Sequence, residues 1–260
     1  MVFLRGMGRR RKVALLATVF LVAVAVLAWL NRPRDEPTRA TVDEAVRSFR
    51  AKGTGGRGGG QGEPALGVYR YATRGSESTR GPILSTTHNY GGVSTIALSA
   101  GRCGERERWQ VLAGRWTEVE ACAPHGERLA ALTEYHEFFG FGQEESLRCH
   151  GEAPAGSLGP GARFSNLCKS GDSSISSSSR IVGVDRVSVG NETFDTLHIK
   201  TRNAVEGDPS GTAKREEWRR RSDGLLLRRS AESDVDTSAG GGSHYTEQYT
   251  IRLLSATPRR

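Results

Sequence analysis

From Leu66 onward, apolar and polar residues alternate in short runs, and turn signals separate the runs. A period of two places successive side chains on opposite faces, so each run predicts a strand with one face toward a core. Thr193–Arg202 is the clearest run, because Leu197, Ile199 and Thr201 share one face. The predicted strands are Leu66–Thr73, Ile83–Tyr90, Val93–Ser99, Glu107–Leu112, Trp116–Ala121, Leu129–Phe139, Ile181–Val189, Thr193–Arg202, Thr212–Arg221, Leu225–Glu232 and Tyr245–Ser255.

The connections between these runs are mostly short. The predicted tight turns are Asn89–Gly92, Ala113-Gly114, Gly190-Asn191, Gly207–Gly211 and Ser222–Gly224. Gly, Pro and Ser dominate Gly151–Ser179, which predicts a long loop there. Sequential antiparallel strands with one apolar face predict a mainly β fold over residues 63–260, as a curved antiparallel meander sheet or half-barrel.

A different pattern precedes the β region. Val13–Leu30 contains no charged residue, and residues 1–12 carry five basic side chains. As a helix this run would measure about 27 Å, enough for the bilayer core. The excess of Lys and Arg before it predicts a single-pass protein of the cytoplasmic membrane, with the N-terminus inside and the β domain outside. A cleaved signal peptide is the competing interpretation, but Ala28-Trp29-Leu30 places bulky residues where the peptidase requires small ones.

Residues 31–62 predict a linker that contains one short helix. Thr41 and Glu44 form the pattern of a capping box, and apolar residues follow at helical spacing, which predicts a helix over residues 41–51. These apolar residues are Val42, Ala45, Val46 and Phe49. Seven of the ten residues in Gly53–Gly62 are glycine, which is typical of a flexible linker.

The formal charge of +8 does not belong to the β region. Residues 63–260 contain 25 basic and 25 acidic side chains, so the positive excess lies in the first 62 residues. A nucleic-acid-binding domain concentrates positive charge on itself, so no nucleic-acid partner is predicted. The basic cluster Lys214–Arg221 does not change this, because strand alternation divides it between two faces.

Four cysteines, all in the predicted outer part, favour two disulfides in an oxidising compartment. Three pairings are possible, and Cys103–Cys122 with Cys149–Cys168 is favoured because each pair brackets a short segment. No two cysteines have the C-x-x-C spacing of zinc or thioredoxin-like sites, so no metal or other cofactor is predicted.

No catalytic constellation is evident in the sequence. There is no G-x-S-x-G motif, and no two histidines are four residues apart. Glu216 and Glu217 would point to opposite faces of a strand, so they cannot form a catalytic pair. The chain is therefore predicted not to be an enzyme, although a cleft in which His136 or His198 meets a glutamate would change that view.

Aromatic residues are the most distinctive feature of the predicted strands. They either fill the core or line an apolar concavity of the curved sheet. The candidate apolar ligand face consists of Tyr69, Tyr71, Trp109, Trp116, Phe194, Trp218 and Tyr249.

One stretch, Val182–Leu227, resembles a recurring element of bacterial envelope proteins. Thr193-Phe194-Asp195-Thr196 leads into a strand, and Glu217-Trp218 followed by Asp223-Gly224-Leu225 is similar to the next hairpin. Those proteins are similar in outline to the lipoprotein-localisation-factor (lipoprotein-carrier) superfamily. The resemblance implies an antiparallel half-barrel that holds acyl chains, and it transfers no functional residue.

Two functions follow from these predictions. The first is a membrane-anchored extracytoplasmic domain that binds an apolar ligand or lipid in the cell envelope. The alternative is an envelope protein-interaction or scaffold module with a filled core and no ligand. An empty apolar cavity of several hundred Å³ would favour the first function, and a filled interior would favour the second.

Overall fold

The computed structural model describes residues 37–51, 62–123, 125–152, 158–171, 173–238 and 241–260. Those residues form one helix and twelve strands, which confirms the mainly β prediction. They are α1 (Val42–Ala51), β1 (Gly67–Arg80), β2 (Ser85–Ala100), β3 (Glu105–Leu112), β4 (Arg115–Ala121), β5 (Leu129–Phe138), β6 (Phe141–Glu152), β7 (Arg163–Ser170), β8 (Ser173–Val189), β9 (Glu192–Glu206), β10 (Ser210–Arg220), β11 (Leu226–Thr237) and β12 (Ser243–Leu253).

The described ranges contain no helix that is both long and apolar enough to cross a membrane. The predicted span at residues 13–30 lies outside them, as do the basic tail at residues 1–12 and residues 53–61 of the Gly-rich segment.

The strands form a closed antiparallel barrel in which each strand pairs with its neighbours in sequence. The prediction of a half-barrel is therefore wrong. Closure comes from β1 and β12, which pair from Tyr71 with Leu253 to Arg80 with His244. An open sheet would leave the backbone groups of two edge strands unpaired, and closure removes both edges. We call the end of the barrel with the β1–β2 connection the upper end, and the end with the β2–β3 connection the lower end.

Two predicted breaks are strands instead. Gly151–Ser179 contains β7 and the start of β8, and β2 continues through Asn89–Gly92. Backbone ladders do not require apolar side chains, so Ser-rich and Gly-rich segments pair when both neighbouring strands are in place.

The predicted helix and capping box are confirmed. The amide of Thr41 donates to Glu44 Oε2 at 3.2 Å, and the amide of Glu44 donates to Thr41 Oγ1 at 3.3 Å. The apolar face of α1, including Phe49, packs into the main hydrophobic core together with Val68. A compact unit spans Pro37–Arg260 and includes the helix.

Both predicted disulfides are present. Cys103–Cys122 connects the β2–β3 connection to the end of β4. Cys149–Cys168 joins residues that are directly paired in β6 and β7.

Candidate functional site

Three of the seven predicted ligand-face aromatics fill the barrel interior, here called the lumen. Trp109 stacks on Tyr249 with ring centroids 4.4 Å apart, and its indole N–H donates to Ser94 Oγ at 3.0 Å. Tyr71 is fully buried, and its hydroxyl donates to the carbonyl of Leu226 at 2.7 Å. All three rings are buried, Trp109 and Tyr249 stack, and the indole of Trp109 and the hydroxyl of Tyr71 are hydrogen-bonded, so these residues form core.

The other four aromatics do not combine with these three into a single open apolar face. Tyr69 is buried, and its hydroxyl donates to the carbonyl of Ala65 at 2.7 Å. Trp116, Phe194 and Trp218 lie under arginine guanidinium groups, at 3.7, 5.1 and 4.4 Å from the ring centroids. Trp116 and Trp218 directly follow lumen residues in their strands and therefore lie on the outer face.

The lower half of the lumen contains a buried ion-pair cluster of Glu107, Glu217, Arg219 and Arg229. Arg219 pairs with Glu107 and with Glu217 at 3.1 Å each. Arg229 pairs with the same two carboxylates at 2.5 and 2.7 Å. Because β3 and β10 are not neighbours in the sheet, the Arg219–Glu107 contact crosses the lumen.

This cluster is internally neutral and close to fully desolvated. All four side chains are less than one-tenth exposed. Burial alone would raise the pKa of Glu107, but Arg229 and Arg219 outweigh it and leave that pKa below its ordinary value. The pKa of Glu217 is well below its ordinary value for the same reason. All four groups therefore stay charged at neutral pH.

A cavity of about 30 Å³ lies beside this cluster in the lumen. Its lining includes Glu105 and His125. Burial raises the pKa of Glu105 to about 8, and burial also lowers the pKa of His125. The buried Nε2 of His125 has no hydrogen-bond partner. The cavity is large enough for one or two water molecules and far smaller than an acyl chain requires.

A second polar group, the upper cluster, surrounds the fully buried Glu77. His88 Nδ1 and His136 Nδ1 lie 3.0 and 3.3 Å from its carboxylate oxygens. The hydroxyl of Tyr245 donates to Glu77 Oε2 at 3.2 Å, and Arg115 lies 3.7 Å away. Burial alone would raise the pKa of Glu77, but the histidine contacts outweigh it and bring the pKa to about 2.

The same cluster extends across the lumen to β12. Arg115 donates to both oxygens of Glu247, at 3.0 and 3.1 Å, and Tyr90 donates to Glu247 Oε1 at 2.7 Å. Phe138 stacks on His88 with centroids 5.1 Å apart. Ions and rings therefore occupy the upper half of the lumen as well.

Histidines meet carboxylates at both predicted positions. His136 bonds Glu77 from β1, across the lumen rather than on a neighbouring strand. His198 lies outside, with Nδ1 3.1 Å from Asp185 and Nε2 3.1 Å from Glu216, so both ring nitrogens are used. Among the residues that the structure describes, no group of three or more His, Cys, Asp or Glu could hold a metal ion.

The charged residues of the lumen were not among the predicted site residues. The sequence does indicate which face two of these charges occupy, because each lies two residues from an aromatic residue of the core face. Glu107 precedes Trp109 by two residues, and Glu247 precedes Tyr249 by two. Such a charge falls on the core face, where it needs a partner. Glu217 has its partners nearby, because Arg219 is two residues along β10 and Arg229 is directly opposite in β11. Glu107 meets the same arginines from β3, which is distant in sequence.

The molecule is thus a closed twelve-stranded meander barrel whose lumen contains two clusters of paired charges together with stacked rings. No protein-family model, curated protein sequence or solved structure matches the chain. The resemblance to lipoprotein carriers accordingly stays a prediction.

Proposed function

We propose that the protein is an extracytoplasmic interaction module of the cell envelope that recognises its partner through the outer surface of the barrel. The filled lumen carries this proposal, because the cavity beside the ion-pair cluster measures only about 30 Å³. Sites for small apolar ligands are typically about 300 Å³ or more. The two disulfides favour an oxidising compartment, in agreement with the predicted membrane anchor at residues 13–30.

Lipid binding in the lumen would carry a large energetic cost. A chain-like ligand would have to separate Arg219 and Arg229 from Glu107 and Glu217, and each separated charge would stay in a poorly solvated interior. Removing one partner of a buried pair costs about 3–5 kcal/mol, and a ligand would have to offset several such losses. Recognition on the outer surface leaves the cluster intact.

The test compares two adjacent positions of β8 in the full-length chain. Ser177 lines the lumen cavity, whereas Ser178 is exposed on the outer face. Ser177→Trp fills the remaining space, and Ser178→Trp adds the same side chain outside. The purified proteins are analysed for bound lipid by mass spectrometry, and a photoreactive residue at the exposed Lys200 reports contacts in intact cells.

We expect that any lipid bound to the wild-type chain is retained equally by Ser177→Trp and Ser178→Trp. We also expect a specific crosslinked product from Lys200 that Ser177→Trp leaves unchanged. One lipid per chain that Ser177→Trp removes and Ser178→Trp retains would overturn the proposal in favour of a lipid carrier. Intact disulfides and an unchanged circular dichroism spectrum establish that the variants are folded.

A further inference from the structure

An arginine-lined groove of about 220 Å³ lies on the molecule near the lower end of the barrel. It lies between the last part of β8 and the strands β11 and β12. Three arginines, one serine and three aliphatic residues line it: Arg186, Arg228, Arg252, Ser188, Val187, Leu227 and Leu253. The side chains of Leu227 and Leu253 are buried in the main core.

The positive charges of this arginine groove are not neutralised by the protein. Arg228 and Arg252 are directly opposite each other in β11 and β12. Like charges in that arrangement destabilise a sheet. Among the described residues, no carboxylate forms an ion pair with Arg186, Arg228 or Arg252. The Nε of Arg228 is in addition buried without a hydrogen-bond partner. A bound anion would offset the repulsion between Arg228 and Arg252.

The guanidinium of Arg228 is held in place by a stack on the outer face. It lies 4.4 Å from the ring centroid of Trp218, whose other neighbour is His198 at 4.3 Å. The indole N–H of Trp218 donates to Asp185 Oδ2 at 2.8 Å, which fixes the ring. A stacked guanidinium keeps its N–H edge available, and this planar edge matches the oxygens of a carboxylate or phosphate.

The distribution of charge over the whole β region supports an anionic ligand. Among the described residues, the buried charged side chains are six glutamates and three arginines. Because residues 63–260 contain equal numbers of acidic and basic side chains, the surface carries the positive excess. The arginine groove concentrates part of that excess at one place.

We propose that the arginine groove binds a phosphoryl group attached to a short carbon chain, of the glycerophosphate type. Three guanidinium groups suit a multiply charged tetrahedral anion better than a single carboxylate, and the hydroxyl of Ser188 adds a donor. The partly exposed aliphatic side chain of Val187 provides a surface for the carbon part. The inference rests on the proposed function, because it names the chemistry that the outer surface recognises. A lipid headgroup and a free or polymeric glycerophosphate share this chemistry.

The experiment titrates sn-glycerol 1-phosphate into the full-length chain in phosphatidylcholine nanodiscs at constant ionic strength. The test variant is Arg186→Gln/Arg252→Gln, which removes two exposed groove charges. The matched control is Arg148→Gln/Arg180→Gln, since these arginines are exposed in β6 and in the middle of β8, do not line the groove and form no ion pair among the described residues. Loss of two charge-assisted contacts should weaken binding at least about tenfold, and the control should change it less than about twofold.

A second arm distinguishes the two sources of the ligand. Nanodiscs that contain phosphatidylglycerol should compete with the soluble probe if the natural source is a lipid headgroup. If they do not compete, the source is a free or polymeric glycerophosphate. Absence of saturable binding by the wild-type chain, or an equal loss in both double variants, would overturn the proposal. Neither result affects the lipid and crosslinking test of the proposed function, so the two proposals fail separately.

Discussion

Glu216 and Glu217 are adjacent in β10, yet the strand places them in opposite electrostatic environments. Glu217 pairs with Arg219 and Arg229 inside the barrel. Glu216 pairs with Lys200 at 2.9 Å on the outside, where it is more than one-third exposed. A buried pair costs much when one partner is removed, and an exposed pair costs little.

The first prediction follows from this contrast. Glu217→Gln leaves two buried guanidinium groups short of a partner and should lower the free energy of unfolding by about 3–5 kcal/mol. Glu216→Gln should lower it by less than about 1 kcal/mol. Urea denaturation of both variants measures the difference, and similar losses would contradict a buried ion-pair cluster.

Glu105 gives a prediction about pH, in which the stability of the folded chain falls as the pH rises. Burial raises its pKa from 4.5 to about 8, although Arg219 opposes the change. A carboxyl with a raised folded-state pKa stabilises fully below about pH 4.5, and that contribution is lost as the pH rises through 8. Relative to Glu105→Gln, the wild-type chain should therefore lose stability between pH 5 and pH 9. Parallel stability profiles of the two proteins over that range would contradict the assignment.

At the scale of elements, local signals predicted local structure. The capping box at Thr41 and the turns at Ala113-Gly114 and Gly190-Asn191 depend on a few adjacent residues, and all three are present. The strand β7 was missed because its pairing depends on β6 and β8 rather than on its own composition. Closure was missed for the same reason, since β1 and β12 are at opposite ends of the β region.

In the candidate site, too, local features were predictable and contacts between distant strands were not. Alternation correctly predicted that Arg215 and Lys214 lie on different faces, with Arg215 beside the buried Glu217 and Lys214 outside. The contacts of Glu107 with Arg219 and Arg229 were not predictable, because β3 is far along the chain from β10 and β11. The arginine groove likewise joins the end of β8 to strands far along the chain.

The two disulfides allow a matched comparison between elements. Both close loops of sequence separation 19, so the loop-entropy contribution to stability should be equal, at about 3 kcal/mol each. Cys149 and Cys168 are also buried in a small apolar cluster, so Cys149→Ala/Cys168→Ala removes packing as well. That double variant should lose more stability than Cys103→Ala/Cys122→Ala in chemical denaturation. The reverse order would show that the β2–β3 connection depends on its crosslink for more than entropy.

At the scale of the whole molecule, ion pairs across the lumen connect strands that the sheet does not pair. Arg219 joins β10 to β3, Arg115 joins β4 to β12, and Glu77 joins β1 to β5 through His136. The barrel cross-section therefore depends on ionised carboxylates as well as on apolar packing. Protonation of these groups should weaken contacts on all sides of the barrel together.

Acid should consequently unfold the β domain in a defined pH window. The pKa of Glu77 is about 2 in the folded chain and 4.5 in the reference state, because the histidine contacts outweigh burial. A depressed folded-state pKa gives stability that is present above about pH 4.5 and is lost as the pH falls toward 2, and Glu107 and Glu217 act in the same direction. Near-ultraviolet circular dichroism of the full-length chain with intact disulfides should show the transition in this window. Glu77→Gln has already lost the carboxylate, so its stability should depend less steeply on pH there. A wild-type chain that keeps its tertiary signal and its stability unchanged down to pH 2 would contradict a lumen held by carboxylates.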